Sequence, residues 1–169
     1  LMLHLRPLEP EDLDLLYTIE NDAELWDTSS NDAPYSRYAL KQYIASAQSV
    51  YECGSLRLVI EITTDKEKNK AIGLIDLFNY SPLNARAEVG IALLKAYRGC
   101  GWGGRALQLL EKYAIERLRI HSLHAWVIID NIASLSLFQK ANYKMAAKIP
   151  DWHFSRGKYR ETALFMKIF

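Results

Sequence analysis

Only two of the 169 residues are cysteine, Cys53 and Cys100. That scarcity excludes a disulfide framework and a four-cysteine zinc site, and it points to reduced thiols in the cytoplasm. No apolar run reaches the roughly 18 residues that a membrane helix needs, and residues 1 to 20 carry no signal-peptide pattern. An excess of one charge is missing as well: 21 Lys and Arg nearly cancel 20 Asp and Glu. The chain therefore lacks the basic field on which nucleic-acid binders and polybasic membrane segments rely. Four histidines, His4, His121, His124 and His153, show neither metal spacing nor a partner carboxylate, so no metal site is expected. There is no internal repeat and no low-complexity segment. What remains is half apolar, enough for the core of one domain over residues 1–169.

The periodicity predicts a strand over 3–7 and, after the proline and acids of Glu9-Pro10-Glu11-Asp12, a helix to about Asn21. A loop from Asp22 to Tyr35 leads to Ser36, which caps a second helix with apolar positions at Ala39, Leu40, Tyr43, Ile44 and Ala47. Strands follow at Leu56–Ile62, Ala71–Tyr80 and Glu88–Leu94; the charged run 65–70 and the segment 81–84 form the turns. The third of these strands is nearly continuously apolar, as a central strand is. Apolar residues at 107, 110, 114 and 118 predict a helix over about 103–120. Beyond it the pattern predicts a strand at His124–Ile129, a helix at Ile132–Ala141, strands at Tyr143–Ile149 and Trp152–Phe154, and a turn at 155–158 into a last strand. The expected fold is mixed α+β, one mixed sheet covered by helices.

Four of the eight glycines crowd into Arg98-Gly99-Cys100-Gly101-Trp102-Gly103-Gly104, between a strand and a helix, where backbone N–H groups and the helix dipole can face an anion. Gly99, Gly101 and Gly104 satisfy G-x-G-x-x-G. A dinucleotide fold, however, needs an acid about 20 residues later, where Ser122-Leu123-His124 stands. A P-loop reading puts Arg105 and Ala106 in place of the required lysine and hydroxyl. An unliganded Gly-rich turn is the bland alternative.

Read as R-x-x-G-x-G after a strand that starts with a glutamate, the segment resembles the acyl-CoA pyrophosphate loop of the GNAT acetyltransferase superfamily, and the element order is similar over essentially the whole chain. Asn131-Ile132-Ala133-Ser134 through Phe138-Gln139-Lys140-Ala141-Asn142-Tyr143 resembles that superfamily's second signature. The resemblance implies an α/β fold with a splayed strand pair and helices on both faces. Acetyl-CoA would be co-substrate, held by the 98–104 loop, by backbone around Ala92, Leu93 and Leu94, and by Asn131, Ser134, Phe138 and Lys140. Phe138 stands where many members carry a tyrosine proposed to protonate the leaving thiolate, and Asn142 replaces a glycine, a left-handed position that Asn tolerates. Leu5-Arg6-Pro7, Ala87-Glu88-Val89-Gly90-Ile91 and Gly157-Lys158-Tyr159 resemble the branch of spermidine/spermine and ribosomal-protein N-terminal acetyltransferases. The implied activity is acetyl transfer to an amine, a polyamine foremost, with a protein α-amine as alternative and an acyl-CoA sensor without turnover as a further one. A homo-oligomer fits the resemblance too.

Acetyl transfer needs an uncharged amine. With a pKa near 10.4, a polyamine amine is neutral in only about one part in a thousand at pH 7.4, a deficit of roughly 4 kcal/mol, so a base matters. Glu88 is the candidate base: it shares a strand face with Gly90 and Ala92. The alternative is an edge glutamate, solvated or paired with Arg86. Asp76 interrupts an apolar strand, so either it turns into a substrate cleft to hold a cation or it faces water at a bend. Asp32, in its polar loop, is a second candidate cation ligand or a turn residue.

Overall fold

The computed structural model describes residues 1–28, 33–46, 49–64 and 68–169. Asp32, Ala47 and half of the charged turn predicted at 65–70, residues 65–67, lie outside these residues. The chain runs β1 (Met2–Pro7), α1 (Leu13–Glu20), α2 (Ala23–Trp26), α3 (Arg37–Ala45), α4 (Val50–Cys53), β2 (Leu56–Thr63), β3 (Asn69–Ser81) and β4 (Arg86–Leu93). It continues through α5 (Trp102–Leu118), β5 (Ser122–Ile128), α6 (Ile132–Lys140), β6 (Lys144–Ser155) and β7 (Lys158–Ile168). All strands join one sheet of order β1-β2-β3-β4-β5-β7-β6. Every neighbouring pair is antiparallel except β4 and β5.

Alternation along the strands assigns the two faces. Val59 and Leu74 pack with Leu16 and Ile19 of α1 and Leu40 and Ile44 of α3. Ile75, Leu77 and Val89 point the other way, onto Ala106, Leu107, Leu110 and Ala114 of α5 and Phe138 of α6. The expected cap forms, with Ser36 Oγ accepting the Ala39 N–H at 3.0 Å; Asn131 Oδ1 accepts that of Ser134 at 3.2 Å and caps α6. Asn142 has φ +65°, as its place after a helix end requires.

Two predicted segments differ. The loop predicted from Asp22 holds the single turn α2, capped by Asp22, and Ser49 caps a second such turn, α4; four residues are too few for helical periodicity to register. The strands predicted at Tyr143–Ile149 and Trp152–Phe154 are one strand, β6, bulged between Ile149 and His153. Pro150 offers no N–H there and Asp151 turns to φ +52°, so the ladder is interrupted but the strand continues past it.

Candidate active site

The parallel pair β4–β5 is registered only over Arg86–Ser122, Ala87–Leu123 and Glu88–His124. Beyond Glu88 and His124 the two strands pair no further with each other, although β4 runs on to Leu93 and β5 to Ile128, so they splay and leave that edge of β4 without a strand partner. A cleft of about 590 Å³ opens at this fork. Its walls include Glu20, Tyr43, Arg57, Asp76, Phe78, Glu88 and Gly90 on the α1 side and Trp126, Asn131, Ser134, Phe138 and Trp152 across the fork.

Glu88 is the last β4 residue paired with β5, with a side chain 13% exposed. Burial pushes its carboxyl above the ordinary glutamate range, opposed by the Asn79 amide, which donates to Oε2 at 3.0 Å. A carboxylate so placed holds a proton more readily than a solvated one, as a base for a high-pKa amine must. Gly90 follows on the same face; a Cβ there would come within 3.2 Å of the Phe78 ring and 3.8 Å of Asp76 Oδ2. The space above Gly90 is therefore narrower than an open slot for an acyl arm.

Asp76 lines the cleft, but it already holds a cation. Arg57, its register partner on β2, donates from Nε to Asp76 Oδ1 at 2.8 Å and from its second nitrogen to Oδ2 at 2.9 Å. The same guanidinium donates to Glu20 at 2.5 Å. Burial pushes the Asp76 carboxyl up while the Arg57 charge opposes it. The cluster has two carboxylates around one guanidinium, leaving one negative charge in excess.

The glycine loop runs from the end of β4 into the start of α5. Gly99 and Gly101 adopt φ +71° and +83°, and a Cβ on Gly99, Gly101 or Gly104 would meet no atom within 4 Å. Gly101 is the N-cap of the 17-residue α5 and supplies no side-chain acceptor, so the first N–H groups of the helix face open space. Gly103 serves packing instead, with its Cβ position 3.5 Å from Leu137 and 3.6 Å from Ile91. Trp102 packs against the core under the Arg105 guanidinium, and the exposed Cys100 donates its thiol hydrogen to the Arg98 carbonyl. Arg98 turns inward: Nε donates to the Leu93 carbonyl at 2.9 Å, and its terminal nitrogens reach Asp22 at 2.7 Å and Glu24 at 3.2 Å. Its side chain shapes the loop and holds α2.

Of the three backbone positions expected around the acyl arm, Leu93 alone faces the bare edge. The Leu94 N–H donates to Ile72 on β3 at 2.9 Å, and alternate residues of a strand turn their backbone groups to opposite edges. Ala92 and Leu94 thus serve β3, while Leu93 and Ile91, the latter missed by sequence reasoning, present N–H groups to the fork. Asn131 and Ser134 line the cleft beside Phe138. Phe138 is 3% exposed, with its ring 5.1 Å from Tyr143 and 6.5 Å from Phe165. Lys140 is exposed at the far end of α6, outside the cleft lining.

Sequence reasoning missed three further features. His124 Nε2 lies 3.9 Å from Glu88 Oε2, and His4 Nε2 lies 2.7 Å from Glu61, so two of the histidines do have partner carboxylates. Trp126 and Trp152 stack with centroids 5.7 Å apart on the cleft wall. Arg156, in the β6–β7 turn, donates to Asp27 at 2.6 Å and ties that hairpin to the α2 segment. Among the described residues no three His, Cys, Asp or Glu side chains gather as a metal site. No described helix is long and apolar enough to cross a membrane.

An acyl-CoA suits these residues on three counts: open space at the glycine Cβ positions, free helix N–H groups for a pyrophosphate, and a bare strand edge for an amide-rich arm. Comparison with known proteins agrees. The sequence model of a family described as acetyltransferase (GNAT) domain matches residues 2–144. Spermidine N(1)-acetyltransferase of Escherichia coli is 26% identical over 168 residues, covering 98% of this chain and 84% of that one. The Vibrio cholerae spermidine N(1)-acetyltransferase is 21% identical over 159 residues, 94% of this chain and 88% of that one. The crystal structure of V. cholerae spermidine N-acetyltransferase in complex with CoA and spermine has a TM-score of 0.86 at 20% identity, covering 98% of this chain and 95% of that one. A dodecameric structure of the V. cholerae enzyme has a TM-score of 0.81 at 20% identity over 98% and 93% of the two chains. At such identity the likeness is one of fold.

Proposed function

Because the chain belongs to the GNAT acetyltransferase family, whose model spans 2–144, we propose that it transfers the acetyl group of acetyl-CoA to a primary amine, with a polyamine such as spermidine as the favoured acceptor. The observation that carries this reading is Glu88, half-buried where the sheet forks, beside a cleft whose charged walls hold more carboxylates than guanidinium. Glu20, Asp76 and Glu88 line it with one Arg57, which bonds the first two, and that imbalance attracts a chain of ammonium groups. The stacked Trp126 and Trp152 offer apolar surface and π-faces to the methylenes and charges of such a molecule. The relatives named as spermidine acetyltransferases support the same acceptor.

In the proposed reaction α5 and the 98–104 loop anchor the pyrophosphate through N–H groups, and the bare edge of β4 orients the arm. An N–H of Ile91 or Leu93 polarises the thioester carbonyl. Glu88 takes one proton of the acceptor ammonium, the C–N bond forms, and the C–S bond breaks to release a thiolate, which takes up the second proton that the nitrogen sheds on becoming an amide. A thiol near pKa 8.5 leaves without strong help, which accommodates a phenylalanine at 138. Asn131 and Ser134 bound the arm on the α6 side, and Asp76, held by Arg57, borders the acceptor; Asp32 is proposed as a further acceptor ligand. The exposed thiols of Cys53 and Cys100 suit the cytoplasm. Apolar Trp152, Phe154 and Tyr159, exposed on the edge hairpin β6–β7, suit a homo-oligomer.

Thiol release from acetyl-CoA with a panel of amines tests the reading. Spermidine and spermine are expected to exceed monoamines and peptide α-amines in kcat/KM. A preference for an α-amine peptide overturns the polyamine assignment, and binding of CoA with no turnover of any amine indicates a sensor.

A further inference from the structure

Glu88 is one of a row of residues lying side by side across the sheet. Phe78 of β3 is its register partner on one side and His124 of β5 on the other, with Met166 of β7 opposite His124. All share the face toward α1 and α3. Glu88 Oε2 and His124 Nε2 are 3.9 Å apart, with side chains 13% and 17% exposed, and no other described acid lies within ion-pair reach of His124. Asn79 and Arg86 at the adjoining strand ends are exposed, so solvent lies beside the pair.

We propose that His124 is the proton-relay partner of Glu88, receiving from the carboxylate the proton taken from the acceptor amine and passing it to solvent at the Asn79–Arg86 end of the sheet. The inference rests on the amine-acetylation reading. The proton balance is simple: amine nitrogen to a Glu88 oxygen, then Glu88 Oε2 to His124 Nε2, then imidazolium to water, which leaves both groups as they began. Nε2 must accept, so the resting imidazole carries its hydrogen on Nδ1. A gap of 3.9 Å is spanned by a small side-chain rotation or one bridging water.

The surroundings favour such a transfer. Burial pushes the Glu88 carboxyl up and the His124 imidazole down, and the Arg86 charge lowers His124 further. The two shifts run toward each other, which lowers the cost of passing a proton between the groups. The facing groups on neighbouring strands are Glu88 and Arg86 on β4, Phe78 and Asn79 on β3 and the uncharged Met166 on β7. A purely structural His124 would hold Glu88 in place without exchanging a proton with it during turnover.

The test combines two variants with one titration on the full chain. With spermidine as acceptor, His124→Gln keeps a polar side chain but removes the titration; kcat/KM is expected to fall about tenfold near neutral pH, with the CoA Kd unchanged. In His124→Ala, added imidazole is expected to restore the rate at least about threefold. An NMR titration of the His124 ring, which needs no amine, is expected to move to lower pH in Glu88→Gln, because the carboxylate that favours imidazolium is gone. A Gln variant within twofold of the wild type, a folded Ala variant without imidazole rescue, or a His124 titration blind to Glu88 each overturns the relay. Coupled titration in a protein that acetylates no polyamine refutes the acceptor assignment instead and leaves the pairing supported.

Discussion

Alanine at Gly104 should move stability and cofactor affinity in opposite directions. Gly104 lies in the first turn of α5, and a Cβ there meets no protein atom within 4 Å. In a helix interior alanine is favoured over glycine by about 0.8–1 kcal/mol; in the first turn about half of that is expected. For a chain of this length 1 kcal/mol corresponds to roughly 2–4 °C, so the melting temperature should rise by about 1–2 °C. The empty space that makes the methyl harmless to the fold is the space a pyrophosphate would occupy, about 2.9 Å from the backbone nitrogens. Displacing the anion from one charge-assisted hydrogen bond costs about 1.5–3 kcal/mol, or at least tenfold in CoA affinity. Calorimetric titration with CoA and a scanning melt on the same sample give both quantities. A higher melting temperature with CoA affinity within twofold of the wild type would refute the placement of the pyrophosphate. Gly101→Val does not separate the two effects as well: at φ +83° a side chain adds about 1–2 kcal/mol of backbone strain to an expected loss of affinity of tenfold or more.

Glu88→Gln should lower kcat/KM for spermidine by about 10²–10⁴ and shift the optimum upward in pH, where solvent supplies free amine, with a smaller penalty as acceptor pKa falls; a loss under about threefold at neutral pH removes Glu88 as base. Asp76→Asn should raise the KM of spermidine more than that of a monoamine, and it should also cost about 1–3 kcal/mol of stability, because Arg57 loses a charged partner; equal KM effects would leave Asp76 a structural partner of Arg57. Phe138→Tyr should change kcat by less than about threefold, since the thiolate leaves unaided; a large gain would show that leaving-group protonation limits turnover. At acid pH the cluster at the end of β1 should fail: burial pushes the Asp12 and Glu61 carboxyls up, but Arg6, donating to both at 2.7–2.8 Å, outweighs it and holds them below the ordinary range. Their stabilisation is complete above the unfolded values near about 4 and is lost as pH falls through the folded ones, so the melting temperature should drop below about pH 5, and less steeply in Arg6→Met.

What is local can be read along the chain. The R-x-x-G-x-G turn could be read because a free helix N-terminus follows from a few adjacent residues, and Ser36 declared its cap in the same way. Period-two alternation identified the strands and placed Glu88, Gly90 and Ala92 on one face. It could not say which residues of other strands stand beside them, because register is set by packing between segments far apart in the chain. Arg57 meets Asp76 across 19 residues and Glu20 across 37, so an aspartate free to choose between cleft and water in the sequence is already paired in the fold. Whether Ala92 or Leu93 turns its N–H to the open edge depends on which phase of β4 bonds to β3. His124, 36 residues from Glu88, had no visible partner until the parallel strands aligned them in the last row before they part. Tertiary structure decided these pairings because cross-strand geometry, unlike backbone propensity, is a property of two segments at once.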